Sequence, residues 1–301
     1  WTDVTVDSER RIGVHDSLAE AVGDVDVVMV GFTHQLQAAA GLPVPALYWE
    51  QGHEALFEDG RAHRAELFHD VMETGMRLPI GLAAVSPVVQ EILKRRFDRK
   101  AALIRNGIDS QRFFPGVRPG RNHVLLVGNP QLPFKAFEDA LRVLDLVYDR
   151  LGSLEVTWIS QVPVEITSSR YKVNLIVNPP QEQIPGIYRT ADVFLFTSQY
   201  EAFGMPPLEA MASGVPVVST DNGGIQTYGH PGENCLLADP GDIESLAWGV
   251  VQVLKNREIA DFLSAAGRET AEQFTWESAV DQLEDALYRI TTYFPRARPI
   301  A

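Results

Sequence analysis

The stretch "VFLFTSQYEAFGMPPLEAMASGVPVVS", Val193 to Ser219, decides the fold. A continuous apolar run, Val193–Phe196, reads as a strand covered on both faces. A polar and glycine-bearing loop, Ser198–Met205, follows it. A helix then opens at Pro206 or Pro207, because the first-turn N–H groups of a helix have no partner within it to lose. Gly214 stops that helix, and the next strand, Val215–Val218, begins almost at once. Strand, loop, helix and strand in so few residues form a βα unit of a parallel sheet. Ligands of such sheets collect beyond the carboxyl ends of the strands, where Ser198–Met205 lies. A helix opening there presents free N–H groups and partial positive charge, which suits a phosphate. Glu201 in the loop and Glu209 in the helix's first turn could then meet hydroxyls on either side of it. A plainer reading stays open: Glu209 as a favourable helix-dipole partner and Glu201 as a solvated loop carboxylate.

The same alternation runs through the chain. Apolar strands are expected at Val27–Val30, Ala46–Trp49, Leu82–Val85, Ala102–Ile104, Val124–Val127, Glu155–Ile159 and Val173–Val177. Amphipathic helices are expected at Ser86–Phe97, Phe137–Leu151 and Ile243–Asn256. Asn106 to His123 is dense in Gly, Pro, Asn and Arg and reads as a linker between two α/β halves. Thr275 caps a final helix whose stripe Ala279, Leu283, Ala286, Leu287 and Ile290 suits packing across the boundary between halves. The expected division is 1–108, completed by the helix of 276–301, and 109–275. The first half offers fewer strands than the second, so an N-terminal portion of that domain is expected to be missing.

With 301 residues and 45% apolar content, the chain can bury a large core. A formal charge of -14 argues against a nucleic-acid binder. The single cysteine, Cys235, makes no internal disulfide, which fits a reducing compartment. No apolar run has the roughly 18 residues that span a bilayer, and the expectation is a cytoplasmic protein.

"SQYEAFGMPPLEAMASGVPVVSTDNGG" resembles the donor-site signature of the retaining, GT-B fold glycosyltransferases of family four. "AAVSPVVQEILKRRF" with "IRNGIDSQRFFP", "PPQEQIPGIYRTADVFLFTS" and "FTWESAVDQLEDALYRI" resemble further segments of that family, in the same order. The likeness runs from about Leu82 to Ile290. It implies two Rossmann-like domains facing across a cleft. Glu201 would then sit by the donor sugar's hydroxyls, Phe203, Gly204 and Met205 would offer backbone N–H groups, and Glu209 would accept from the ribose. Lys135, in "GNPQLPFKAFEDAL", falls at the family's lysine that neutralises the diphosphate, with Gly128 and Asn129 at the donor side. By itself Lys135 would pass for a solvated residue ahead of a helix.

The chain departs from the family pattern in several places. Asn129 stands where the family usually has an arginine, removing a bidentate phosphate clamp. Ala136 replaces the glycine after the lysine. In "VPALYWEQGHEALF" the family's histidine position holds Gln51, with His53 downstream as its replacement if the loop turns inward. His34 is the weaker candidate, and Thr227 occupies a position where the family often has Glu. Asp24-Val25-Asp26 has the spacing of a metal-binding D-x-D but precedes a first-domain strand and reads as turn acid.

The resemblance implies metal-independent, retaining transfer of a hexose from a nucleotide diphosphate sugar, UDP-sugar ahead of GDP- or dTDP-sugar. The acceptor would be a carbohydrate, lipid-linked or small-molecule hydroxyl, with the enzyme at or near the inner membrane surface. No cofactor is expected beyond the donor. Base recognition would fall near Asn178–Gln183. Two rivals stay open: a nucleotide-sugar epimerase of the same fold, and a non-catalytic partner subunit of a transferase.

Overall fold

The computed structural model describes residues 18, 22–57, 65–165 and 170–293. The last residues of the expected 276–301 segment, 294–301, lie outside the described residues, as do the first seventeen of the expected first domain.

Two parallel sheets organise the chain. The first, in spatial order β1-β2-β3-β4, uses β1 (Val28–Val30), β2 (Ala46–Glu50), β3 (Gly81–Ala84) and β4 (Ala102–Leu103). Its helices are α1 (Leu36–Ala40), α2 (Ala65–Gly75) and α3 (Pro87–Phe97). Ser86 caps α3 as its position before proline predicts, its hydroxyl accepting from Val89 N at 3.3 Å. The second sheet uses β5 (His123–Val127), β6 (Glu155–Ser160), β7 (Lys172–Val177), β8 (Val193–Phe196), β9 (Val217–Thr220) and β10 (Leu236–Ala238). Its helices are α4 (Phe137–Leu151), α5 (Ile184–Tyr188), α6 (Met205–Ala212), α7 (Ile243–Lys255) and α8 (Arg257–Ala271). The closing helix α9 is Trp276–Tyr293.

The order in the second sheet is β10-β9-β8-β5-β6-β7. The chain enters at β5, builds outward through β6 and β7, then returns to β5's other side with β8. That reversal makes a topological switch point between β5 and β8, where the loops leaving the two strands diverge and open a crevice. The strands here are covered on both faces, which explains their unbroken apolar runs. Val124 and Leu126 enter the core beneath α4 and α7, while Leu125 faces the opposite core with Phe194 and Phe196.

Two boundaries move from their sequence expectation. β9 begins at Val217 instead of Val215, because Gly214 takes φ +69° to end α6 and Val215 N still bonds back to Ala210 O. α6 begins at Met205, ahead of both prolines, so Glu209 sits in the second turn and not the first. β10 had no expected counterpart.

The linker is fastened at both ends. Asp192 accepts from the backbone N–H groups of Gly120, Arg121 and His123 at 2.8, 2.8 and 3.0 Å. These bonds satisfy linker donors that would otherwise be left unpaired. Near its start, Ile108 N donates to Phe274 O at 2.8 Å. There the outgoing and returning connections touch so closely that a Cβ on Gly107 would lie 2.5 Å from Trp276 N. Beyond that crossing, Ala286 and Ile290 of α9 pack on Leu47, Ala83 and Ile104 of the first sheet.

Candidate active site at the switch point

Lys135 and Glu201, which arise from different strand ends, meet at the switch point. Lys135 Nζ lies 2.5 Å from Glu201 Oε1, with the two side chains only 17% and 13% exposed. The ammonium also stands 5.0 Å from the Phe134 ring centroid and 5.4 Å from that of Phe196, within cation–π range. The loop after β5 is held in place from β8: Thr197 Oγ1 donates toward the carbonyls of Lys135 and Ala136, and Gln199 N donates to Phe134 O at 2.7 Å. Gly128, at φ +148°, ends β5 against the Phe137 ring, and its carbonyl accepts from Trp158 Nε1 at 3.2 Å. Asn129 closes a local turn, its Oδ1 accepting from Gln131 N at 2.9 Å.

Ala136 explains why a glycine is the customary residue after this lysine. It adopts φ 48°, ψ 46° as the cap residue of α4. The left-handed conformation costs an L-residue about 1–2 kcal/mol, offset by the lower unfolded-chain entropy of Ala relative to Gly, about 0.5–1 kcal/mol. Ala136→Gly is therefore expected to stabilise the fold by about 0.5–1 kcal/mol. A rise in urea midpoint at unchanged slope would show it, and an unchanged or lower midpoint would contradict the strain argument.

The donor loop is built from below. Glu201 N donates to Asn222 O at 2.9 Å, and Glu201 pairs as an isolated bridge with Gly223. Phe203 buries its ring against Tyr228 and Phe274, so only its backbone can face a ligand. Gly204 takes φ +82° at the cap of α6, and its carbonyl accepts from the Tyr228 hydroxyl. Met205 is the first residue of the helix; Pro206 and Pro207 carry no N–H, so the free backbone donors at its start are those of Gly204 and Met205.

Glu209 is half-buried, with its carboxyl drawn in among protein atoms. Burial pushes its carboxyl pKa up, while the Tyr188 hydroxyl, donating to Oε2 at 2.7 Å, and the charge of Arg112 push it back down. A carboxylate raised above its unfolded value contributes stability that is complete below the unfolded pKa and lost as pH rises through the folded one. Glu209→Gln is therefore expected to stabilise the fold at pH 7, with the gain shrinking toward pH 4. Melting curves across that range check the sign; an acid-side gain equal to the neutral one would refute it.

A cavity of about 420 Å³ opens beside Glu209, lined also by Met205, Gln181, Ile184, Arg112, Phe113 and Trp276. Gln181 is the member of the Asn178–Gln183 segment that reaches it.

The first domain touches the donor loop directly. Gly52, at φ +112°, turns the chain after β2, and a Cβ there would lie 2.5 Å from Ala202 Cβ. Gln51 is exposed at that turn. His53 follows it, half-buried, with Nδ1 accepting from Ala55 N at 3.2 Å, which leaves the proton of the neutral ring on Nε2. Phe57, Tyr200 and Phe134 stack in one column across the domain boundary, with centroids 4.6 and 4.7 Å apart. His34 lies apart from this contact, stacked on the exposed Phe32. Thr227 Oγ1 is buried without a hydrogen-bond partner among the described residues.

Sequence reasoning overlooked Glu50. Its side chain is 1% exposed; Oε1 accepts from Gly52 N and His53 N at 2.7 and 2.9 Å, and Oε2 from Tyr48 OH at 2.8 Å. It thereby fixes the turn carrying Gln51 and His53. An acidic residue closing the apolar run "ALYW" was the available signal.

Comparison with known proteins agrees with this geometry. Residues 165–270 match the family model described as glycosyl transferases group 1. Sulfoquinovosyl transferase SQD2 of Arabidopsis thaliana is 27% identical over 216 residues, covering 66% of this chain and 42% of that protein. D-inositol 3-phosphate glycosyltransferase of Saccharomonospora viridis is 29% identical over 237 residues, covering 69% and 55%. The chain thus spans about half the length of these curated relatives. Among solved structures, sucrose-phosphate synthase from Thermosynechococcus elongatus superposes with a TM-score of 0.75 at 19% identity, over 89% of this chain and 74% of that one. Anabaena HepE in complex with UDP and glucose gives 0.72 at 17% identity, over 90% and 79%. The two sheets and these solved structures give the chain the GT-B fold, and its residues 165–270 match the glycosyl transferases group 1 model.

Proposed function

We propose that the protein is a retaining glycosyltransferase that moves a hexose from a nucleotide diphosphate sugar, a UDP-sugar in the first instance, to a hydroxyl acceptor. The observation carrying this reading is the meeting of Lys135 and Glu201 at the switch point, beside the N-terminus of α6. A cation there can neutralise the diphosphate as negative charge develops on it, which is transition-state stabilisation. Glu201 is placed to accept from sugar hydroxyls, and Glu209 from the ribose. Residues 109–275 hold the donor, and residues 1–108, with the closing segment 276–301, face it with the acceptor side, where Gln51 and His53 lie. The bond from the sugar's anomeric carbon to the leaving phosphate oxygen breaks as the acceptor oxygen bonds on the same face. The acceptor proton passes to the leaving diphosphate, so no protein nucleophile is needed. Lys135 and the helix end supply positive charge of their own, and the reaction is proposed to run without a metal.

Among the described residues no helix is long and apolar enough to cross a membrane. We place the reaction in the cytoplasm, at or near the inner membrane surface. The test is a panel of UDP-, GDP-, dTDP- and ADP-sugars with carbohydrate and lipid-linked acceptors, run with and without EDTA. Acceptor-dependent release of nucleoside diphosphate, unaffected by EDTA and giving a product of unchanged anomeric configuration, is expected. An epimerised donor in the absence of acceptor would replace this reading with an epimerase. Neither thermal shift nor turnover across the panel would point to a partner subunit.

A further inference from the structure

The crevice is short of a cation. Uncharged Asn129 stands where the resembling family carries an arginine, and its Oδ1 accepts from Gln131 N. Lys135, the remaining positive charge on the loop after β5, is already neutralised by Glu201. A nucleoside diphosphate brings two or more negative charges, more than one lysine offsets.

A second cation lines the cavity beside Glu209. Arg112 is the one basic residue among those lining the space beside Met205 and Glu209. Asp109 organises its backbone, with Oδ1 accepting from Gln111 N and Arg112 N at 2.9 and 3.2 Å, and Arg189 Nη1 donates to the Arg112 carbonyl at 3.3 Å. Its neighbour Phe113 sets a ring edge against Tyr188, the residue whose hydroxyl donates to Glu209. The linker therefore shares a wall with the buried carboxylate. Among the described residues the Arg112 guanidinium has no hydrogen bond or ion pair, although its field reaches Glu209. A guanidinium that lines the same cavity as Met205, the first residue of α6, is suited to fork onto phosphate oxygens.

We propose that Arg112, supplied by the interdomain linker, is a diphosphate-binding residue of the donor site and takes over the charge that Asn129 no longer carries. This rests on the donor-site reading above. It also gives the linker a second task, since a ligand held by Arg112 from the linker and by α6 from the second domain ties the hinge to donor occupancy.

The experiment measures donor KM and the Kd of UDP, GDP, uridine and guanosine for the wild type, R112A, N129R and R112A/N129R. R112A is expected to raise donor KM and the diphosphate Kd by about tenfold, the scale of one charge-assisted contact, while leaving nucleoside binding unchanged. N129R is expected to recover most of that loss in the R112A background and to add little to the wild type. Diphosphate affinity in R112A within twofold of the wild type would overturn the proposal. So would an N129R gain equal in both backgrounds, since independent sites add. A wild type that binds no nucleotide and turns over no nucleotide sugar would overturn the donor-site reading itself. A wild type that does both, with R112A unaffected, would overturn only the role of Arg112.

Discussion

Lys135→Ala is expected to lower turnover by about 10²–10³-fold, the scale of losing one preorganised partner to developing charge. Lys135 is held from three sides, by Thr197 on its carbonyl, by Glu201 on its ammonium and by the rings of Phe134 and Phe196 around it. On the proposed reading, donor binding moves Lys135 from Glu201 to phosphate and Glu201 from Lys135 to sugar hydroxyls, so breaking this pair is an entry step. Removing the lysine alone leaves a mostly buried carboxylate without its cation, which by itself destabilises the loop. The double variant Lys135→Ala/Glu201→Gln separates the two effects. If the lysine only neutralises Glu201, the double variant is no slower than Glu201→Gln alone. If it acts on the leaving group, the double variant is slower than Glu201→Gln by a further factor of about 10². Measured turnover of Lys135→Ala within twofold of the wild type would remove Lys135 from the chemistry.

What could be read from the sequence follows the range of the forces involved. The βα unit Val193–Ser219 was legible because burial on both faces writes an unbroken apolar run, as the two cores on either side of β5 and β8 bear out. The caps Ser86 and Thr275 were legible because capping is local: Thr275 Oγ1 accepts from Ser278 N at 3.1 Å. The contact between Lys135 and Glu201 was not legible from spacing, since strand order brings them together and order leaves no local trace. Only the family resemblance placed them in one site. Glu50 was hidden for the opposite reason. A carboxylate at the end of a strand looks like a solvated turn residue, and only the folded backbone shows the three donors that let it be buried. Arg112 was hidden because a linker rich in glycine and proline reads as a spacer. Its approach to Glu209 depends on Ile108 and Phe274 pinning the linker to the returning chain. The start of α6 was misplaced by one turn's reasoning: proline tolerates the second helical position as readily as the first, so Met205 could lead.

Gly224→Ala is the second variant expected to have a large effect, and it acts without touching charge. A Cβ at Gly224 would lie 2.8 Å from both Glu201 O and Phe203 N, and 2.9 Å from Glu201 Cβ. Two of these three atoms are backbone, so no side-chain rotation relieves the contact, and the donor loop itself must move. That loop is tied to its support by Glu201 N on Asn222 O and by Ile225 N on Asn222 Oδ1 at 3.1 Å, so it shifts as a unit. A displacement approaching an ångström at a positioned group costs about 10²-fold in rate, and overpacking of this kind costs about 1–3 kcal/mol of stability. Gly232→Ala supplies the control. Gly232 has φ +77° with nothing near its Cβ position, so the substitution carries backbone strain of about 1–2 kcal/mol with no push on the donor loop. The expected pattern is comparable loss of melting temperature in both variants, with kcat/KM falling steeply only in Gly224→Ala. Equal losses of kcat/KM would show that lowered stability, and not the position of Glu201 and Phe203, limits the rate. Full activity in a folded Gly224→Ala would mean that the loop carrying Glu201 does not position the reacting sugar.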